Sequence, residues 1–80
     1  MASFKVKAFG ITKDIIGSKE TVFEVEGETV ADLKNFLFTK YPKLSGLKSL
    51  FIAVNHNYAE GKQTIVATDE IALIPPVSGG

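Results

Sequence analysis

The residues with the clearest chemical potential stand at the end of the sequence, in the stretch EIALIPPVSGG from Glu70 to Gly80. Gly79 and Gly80 carry no Cβ, so a backbone ending in them can thread a channel too narrow for side chains and approach a reactive centre closely. The α-carboxylate of Gly80 is a group that ATP could activate as an acyl-adenylate, and glycine leaves that carbonyl unshielded. Pro75 and Pro76 each fix φ at about −65°, which stiffens the exit from the preceding segment. A stiff base with a thin tip is poorly explained by simple fraying of a terminus.

The remaining candidates read as structural. His56, the one histidine, sits in VNHNYAEG with no cysteine and no paired carboxylates around it, so neither a metal set nor a catalytic triad is indicated. It is expected to be an exposed turn residue. Asp69 and Glu70 are adjacent, and adjacent strand residues point to opposite faces, so solvated turn acids are expected rather than an acid–base pair. The glycines at 10, 17, 27, 46 and 61 are dispersed and form no phosphate-binding loop. Phe36, Leu37 and Phe38 are expected to be core plus one exposed ring, Phe38. With no Cys in the chain, a side-chain thiol cannot act as nucleophile or carry sulfur.

Positioning the tail requires a scaffold, and the periodicities describe one. Ser3–Phe9 alternates, with Phe4, Val6 and Ala8 on one side and Lys5 and Lys7 on the other, as in a half-buried strand. Phe9 breaks that alternation and should point outward, as a docking surface near the tail would need. The stretch from Gly10 to Glu20 reads as a loop marked by Gly10 and Gly17, with Ile15 and Ile16 covering the core edge. Thr21, Phe23 and Val25 form a second alternating strand, giving an antiparallel hairpin with the first. Val30, Leu33, Phe36 or Leu37, and Tyr41 recur at helical spacing. Thr29 and Asp32 read as a capping box, Lys40 suits the helix dipole, and Pro42 makes Tyr41 the boundary. Lys43–Ser49 reads as a turn region. LFIAVN, Leu50–Asn55, is a continuous apolar run expected to be a strand covered on both faces or nearly so. HNYAEGKQT is turn-rich, and EIALIPPV supplies a last short strand ended by prolines. The order β-β-α-β-(β)-β implies an α+β domain, a mixed sheet with one main helix packed across it. This is the order of a β-grasp, or ubiquitin-like, fold, in which the last strand lies beside the first and parallel to it.

Composition narrows the function classes. Eighty residues make one small domain. Nine basic and nine acidic residues are scattered without a basic block, against a nucleic-acid footprint. The apolar runs are too short for a bilayer, and the opening MASFKVKAFG shows no apolar export segment, so a cytoplasmic protein is expected.

The terminal IPPVSGG, the AVN of Ala53–Asn55 with its following polar turn, and the element order together resemble the small-subunit family of molybdopterin synthase, over essentially the whole chain. The resemblance implies a sulfur carrier with a β-grasp domain at 1–76 and a flexible tail at 77–80. An adenylating, E1-like enzyme would use ATP to activate Gly80, a sulfur donor protein would convert it to a thiocarboxylate, and Gly79 would accompany it into the large synthase subunit. There the sulfur passes to cyclic pyranopterin monophosphate. The chain would bind no cofactor or metal and would catalyse nothing alone. Positions matching the family's contacts with the large subunit are Phe9, Tyr58 and Ile74, with Pro75, Pro76 and Val77 at the tail base; Tyr58 stands where a smaller aliphatic is familiar. Two alternatives share the tail chemistry. One is a sulfur carrier for thiamine thiazole synthesis, and the other is a ubiquitin-like modifier joined through Gly80 to lysines of other proteins.

Overall fold

The computed structural model describes residues 2–47 and 50–75. Five strands and three helices follow in the order β1 (Ala2–Ala8), α1 (Ile11–Ile16), β2 (Glu20–Val25), α2 (Val30–Lys40), α3 (Pro42–Ser45), β3 (Phe51–Val54), β4 (Asn57–Tyr58) and β5 (Ile71–Ile74). The strands make one mixed sheet ordered β2-β1-β5-β3-β4. The first hairpin is antiparallel as expected, with Phe4 opposite Phe23. β5 runs parallel to β1, with Val6 opposite Ile71 and Ala8 opposite Leu73, and antiparallel to β3 on its other side. The strand that leads into the tail is therefore central. This is the β-grasp arrangement.

Alternation decides which side chains meet the helix. Phe4, Val6, Phe23, Val25, Ile52, Val54, Ile71 and Leu73 point to one face and form a single cluster with Val30, Leu33 and Leu37 of α2. Phe36 and Tyr41 meet Phe23 edge-on, with centroids 5.8 and 6.1 Å away. The capping box forms: Thr29 Oγ1 accepts from the Asp32 N–H at 3.2 Å, and Asp32 accepts from the Thr29 N–H. The connection between β4 and β5 folds back over the start of α2. The Val30 N–H donates to the Gln63 carbonyl and the Ile65 N–H to that of Glu28, which places the buried Ile65 under the loop.

Four expectations are corrected. Ile11–Ile16 is a helix rather than a loop, bounded by Gly10 and by Gly17, whose left-handed conformation (φ 89°) ends it; Ile15 and Ile16 do pack against the core. Pro42 starts a further turn of helix, α3, because its fixed φ suits the first helical position. Phe38 is half-buried against the core, with the Lys34 ammonium 5.6 Å from its ring, so it is not a free surface aromatic. β3 is less evenly covered than expected: Ile52 and Val54 face the core and Ala53 is buried on the other side, whereas Phe51 there is 49% exposed.

Candidate functional site

The outer face of the sheet, away from α2, carries the groove that the tail base borders. Register brings Lys7, Ala72, Ala53 and Tyr58 into one row across β1, β5, β3 and β4, and places Phe51 opposite Ile74 in the next. Paired residues share a face, so the row reads large, small, small, large. The two alanines make the floor and the flanking side chains make the walls of a groove of about 360 Å³. One wall is Tyr58, whose ring is backed by Phe51 in a stacked pair with centroids 5.3 Å apart and planes 24° from parallel. Phe9 and Ile74 close the side nearest the tail.

Each wall is held by its local chain. Phe9 leaves β1 and enters the turn before α1. Its N–H donates to Thr12 Oγ1 at 2.9 Å, and the Thr12 hydroxyl donates to the Phe9 carbonyl at 2.5 Å. Thr12 is fully buried, so this clasp fixes the turn and leaves the Phe9 ring 49% exposed. Gly10 follows with φ 56° and ψ −131°, and the position a Cβ would take there lies 3.3 Å from Pro75 Cγ. The turn after β1 and the base of the tail therefore touch through a missing side chain. Tyr58 is presented by a two-residue hairpin turn, Asn55 and His56, both at positive φ (52° and 73°).

The far end of the groove is charged. Lys7 Nζ donates to Glu70 Oε1 at 2.6 Å, and His56 Nε2 lies 2.8 Å from Glu70 Oε2. The ammonium holds the Glu70 carboxyl below its ordinary value, with His56 a smaller cause, and Glu70 in turn raises Lys7. Asp69 accepts from the Val66 N–H and from the Asn55 side-chain amide, and both lower its pKa. Asp69 and Glu70 thus have separate roles as expected, but Glu70 is bound across the sheet rather than simply solvated. His56 is exposed in its turn as expected.

Phe9, Tyr58 and Ile74 come together in this groove, with Pro75 beside it against Gly10. Pro76, Val77, Gly79 and Gly80 lie outside the described residues. The sequence reading missed Phe51, Lys7 and Glu70. Strand parity carried the signal for Phe51: in LFIAVN it alternates with Ile52 and Val54, so one of the two sets had to face away from the helix. Among the described residues, no three His, Cys, Asp or Glu side chains converge to hold a metal ion, and no helix is long and apolar enough to cross a membrane.

Comparison with known proteins gives a consistent picture. The model of the ThiS family matches residues 6–80. The molybdopterin synthase sulfur carrier subunit of Caenorhabditis briggsae is 37% identical, with all of both chains covered. That of Dictyostelium discoideum is 39% identical over 96% of this chain and 95% of its own. Among solved structures, a Pyrococcus furiosus chain assigned to subunit 1 of molybdopterin converting factor superposes with a TM-score of 0.85 at 25% identity, covering 96% of this chain and all of that one. Small archaeal modifier protein 1 of Methanosarcina acetivorans gives 0.79 at 32% identity, covering 100% and 98%. A complex of subunits 1 and 2 of molybdopterin-converting factor from Helicobacter pylori shares the fold, with a TM-score of 0.67 at 24% identity over 98% and 99% of the two chains.

Proposed function

This chain belongs to the ThiS family, and we propose that it acts as the sulfur carrier subunit of a molybdopterin synthase. The observation that carries the reading is spatial. The central strand β5 delivers its end, Ile74 and Pro75, beside an open apolar groove walled by Phe9 and Tyr58. The full-length relatives named as molybdopterin synthase sulfur carrier subunits favour pterin over thiazole sulfuration. In this reading residues 1–76 are the docking body and 77–80 the segment that enters a partner.

The chemistry follows from an acyl end. In the activating enzyme, a carboxylate oxygen of Gly80 attacks the α-phosphate of ATP and pyrophosphate leaves. A sulfur donor then displaces AMP from the acyl carbon, and the Gly80 thiocarboxylate results. In the large subunit the thiocarboxylate sulfur bonds to the pterin substrate, and water then cleaves the acyl–sulfur bond and returns the Gly80 carboxylate. Gly79 contributes a backbone slim enough to bring the acyl carbon to both centres. Phe9, Tyr58, Ile74, Pro75, Pro76 and Val77 contribute the contact surface. The proteins solved as subunits 1 and 2 of one factor in Helicobacter pylori support a large-subunit partner.

Intact-mass analysis tests this. Incubation with the activating enzyme, ATP and a sulfur donor should replace one oxygen by sulfur at the terminus, and deletion of Gly80 should abolish the change. An unchanged full-length mass with competent partners refutes it. The likeness to small archaeal modifier protein 1 supports a second reading, conjugation through Gly80 to lysines. Higher-mass conjugates on an immunoblot, lost on deletion of Gly80, would establish that one.

A further inference from the structure

The groove is apolar along its floor and on the Phe9 and Tyr58 sides, but Lys7 brings charge to its remaining flank, and that charge is unbalanced in hydrogen-bonding capacity. Lys7 offers three N–H groups, whereas an ionised Glu70 only accepts. One Lys7 N–H is used on Glu70 Oε1, and Glu70 Oε2 takes His56. Glu20 stands opposite Lys7 in register and its charge adds a smaller stabilisation of the ammonium, but it forms no ion pair with Lys7 among the described residues and so takes none of its N–H groups. Among the described residues, two ammonium N–H groups of Lys7 have no acceptor, on a side chain 40% exposed.

Glu70 is held firmly while it does this. Its N–H donates to Asn55 Oδ1 at 2.9 Å, and its carbonyl accepts from the Asn55 N–H at 2.7 Å. Asn55 is thus a positioning residue for the pair. Lys7 is held to Glu70 at the groove flank, with two N–H groups unpaired among the described residues. A purely apolar partner laid over this end would strip water from an ammonium with a single acceptor, and that is unfavourable. A partner carboxylate placed over Lys7 removes the penalty.

We infer that Lys7 selects the partner. The groove accepts a protein surface on which an aspartate or glutamate stands beside an apolar side chain, the apolar group seated on Ala53 and Ala72 and the acid over Lys7. The inference rests on the docking face proposed above, and it sets the direction in which the partner lies: acid toward Glu70, apolar surface toward Ile74.

The test titrates the full-length chain with the purified large subunit of its own synthase, at low and high salt. Lys7→Met should bind at least tenfold more weakly and lose the salt dependence of association. Lys7→Glu should be weaker still, and Lys7→Arg should stay within about threefold of the native chain. Melting temperatures confirm that each variant is folded. Binding by Lys7→Met within twofold of the native chain, or tighter, overturns the inference while leaving the sulfur-carrier reading intact. If the native chain neither binds the large subunit nor forms a thiocarboxylate, the sulfur-carrier reading falls and takes this one with it.

Discussion

Replacing Gly10 by alanine tests the coupling between the β1–α1 turn and the base of the tail. At φ 56° and ψ −131°, Gly10 lies outside the left-handed helical basin that L-residues visit, in a region used almost only by glycine. Holding an alanine there costs about 1–3 kcal/mol. The added methyl also meets Pro75 Cγ at 3.3 Å, so the turn or the proline must yield by a few tenths of an ångström. The two effects together place the loss at about 2–3 kcal/mol, or a melting temperature lower by roughly 10–20 °C for a domain of this size. Gly17→Ala is the internal control. It has φ 89° and ψ 10°, within reach of the left-handed basin, and nothing lies within 4 Å of the added carbon. Its cost is about 1 kcal/mol. Urea unfolding of both variants gives the comparison, and amide chemical shifts at Ile74 report the displaced proline, moving in Gly10→Ala alone. A Gly10→Ala variant within about 0.5 kcal/mol of the native chain, or no less stable than Gly17→Ala, refutes the reasoning.

Thr12→Val keeps the shape but leaves the Phe9 N–H and carbonyl without their side-chain partner, and should cost about 1–3 kcal/mol by chemical denaturation. Leu37→Ala removes a fully buried side chain from the α2 face and should cost about 2–5 kcal/mol by the same measure. Tyr58→Ala should change stability by no more than about 1 kcal/mol, since the ring is 71% exposed, yet weaken large-subunit binding at least tenfold in a titration. Asp69 is held below its ordinary value by the Val66 N–H and then by the Asn55 amide. Its ionised form therefore favours folding at pH above about 4, and that contribution fades as pH falls below about 4 and through the depressed value. The loss of denaturant midpoint between pH 6 and pH 3 should accordingly be smaller in Asp69→Asn than in the native chain.

The sequence was most legible where one face meets the core and the other meets water. The alternation of Phe4, Val6 and Ala8, the capping box at Thr29 and Asp32, and the helical spacing through Leu37 all appear in the structure at the expected positions. It was least legible in short elements. α1 spans six residues, too few to show a helical period, and the two glycines that bound it have the same spelling as loop punctuation. The apolar run of β3 misled for a different reason. Continuous hydrophobicity normally marks burial on both faces, but here Phe51 stacks on the exposed Tyr58 ring rather than joining a second core layer. Lys7 and Glu70 lie 63 residues apart, and only the parallel pairing of β1 with β5 brings them together. Tyr58 and Ile74 were found through family resemblance and Phe9 also through its place in the alternation of the first strand, and the register explains why they meet.

The central placement of β5 has a mechanical consequence. A pull on the chain beyond Pro75 loads two hydrogen-bonded ladders at once, and the load runs along the strands in shear. Slippage by a single residue would turn Ile71 and Leu73 out of the core and Ala72 into it, so the strand resists creep. The body therefore behaves as an inextensible handle.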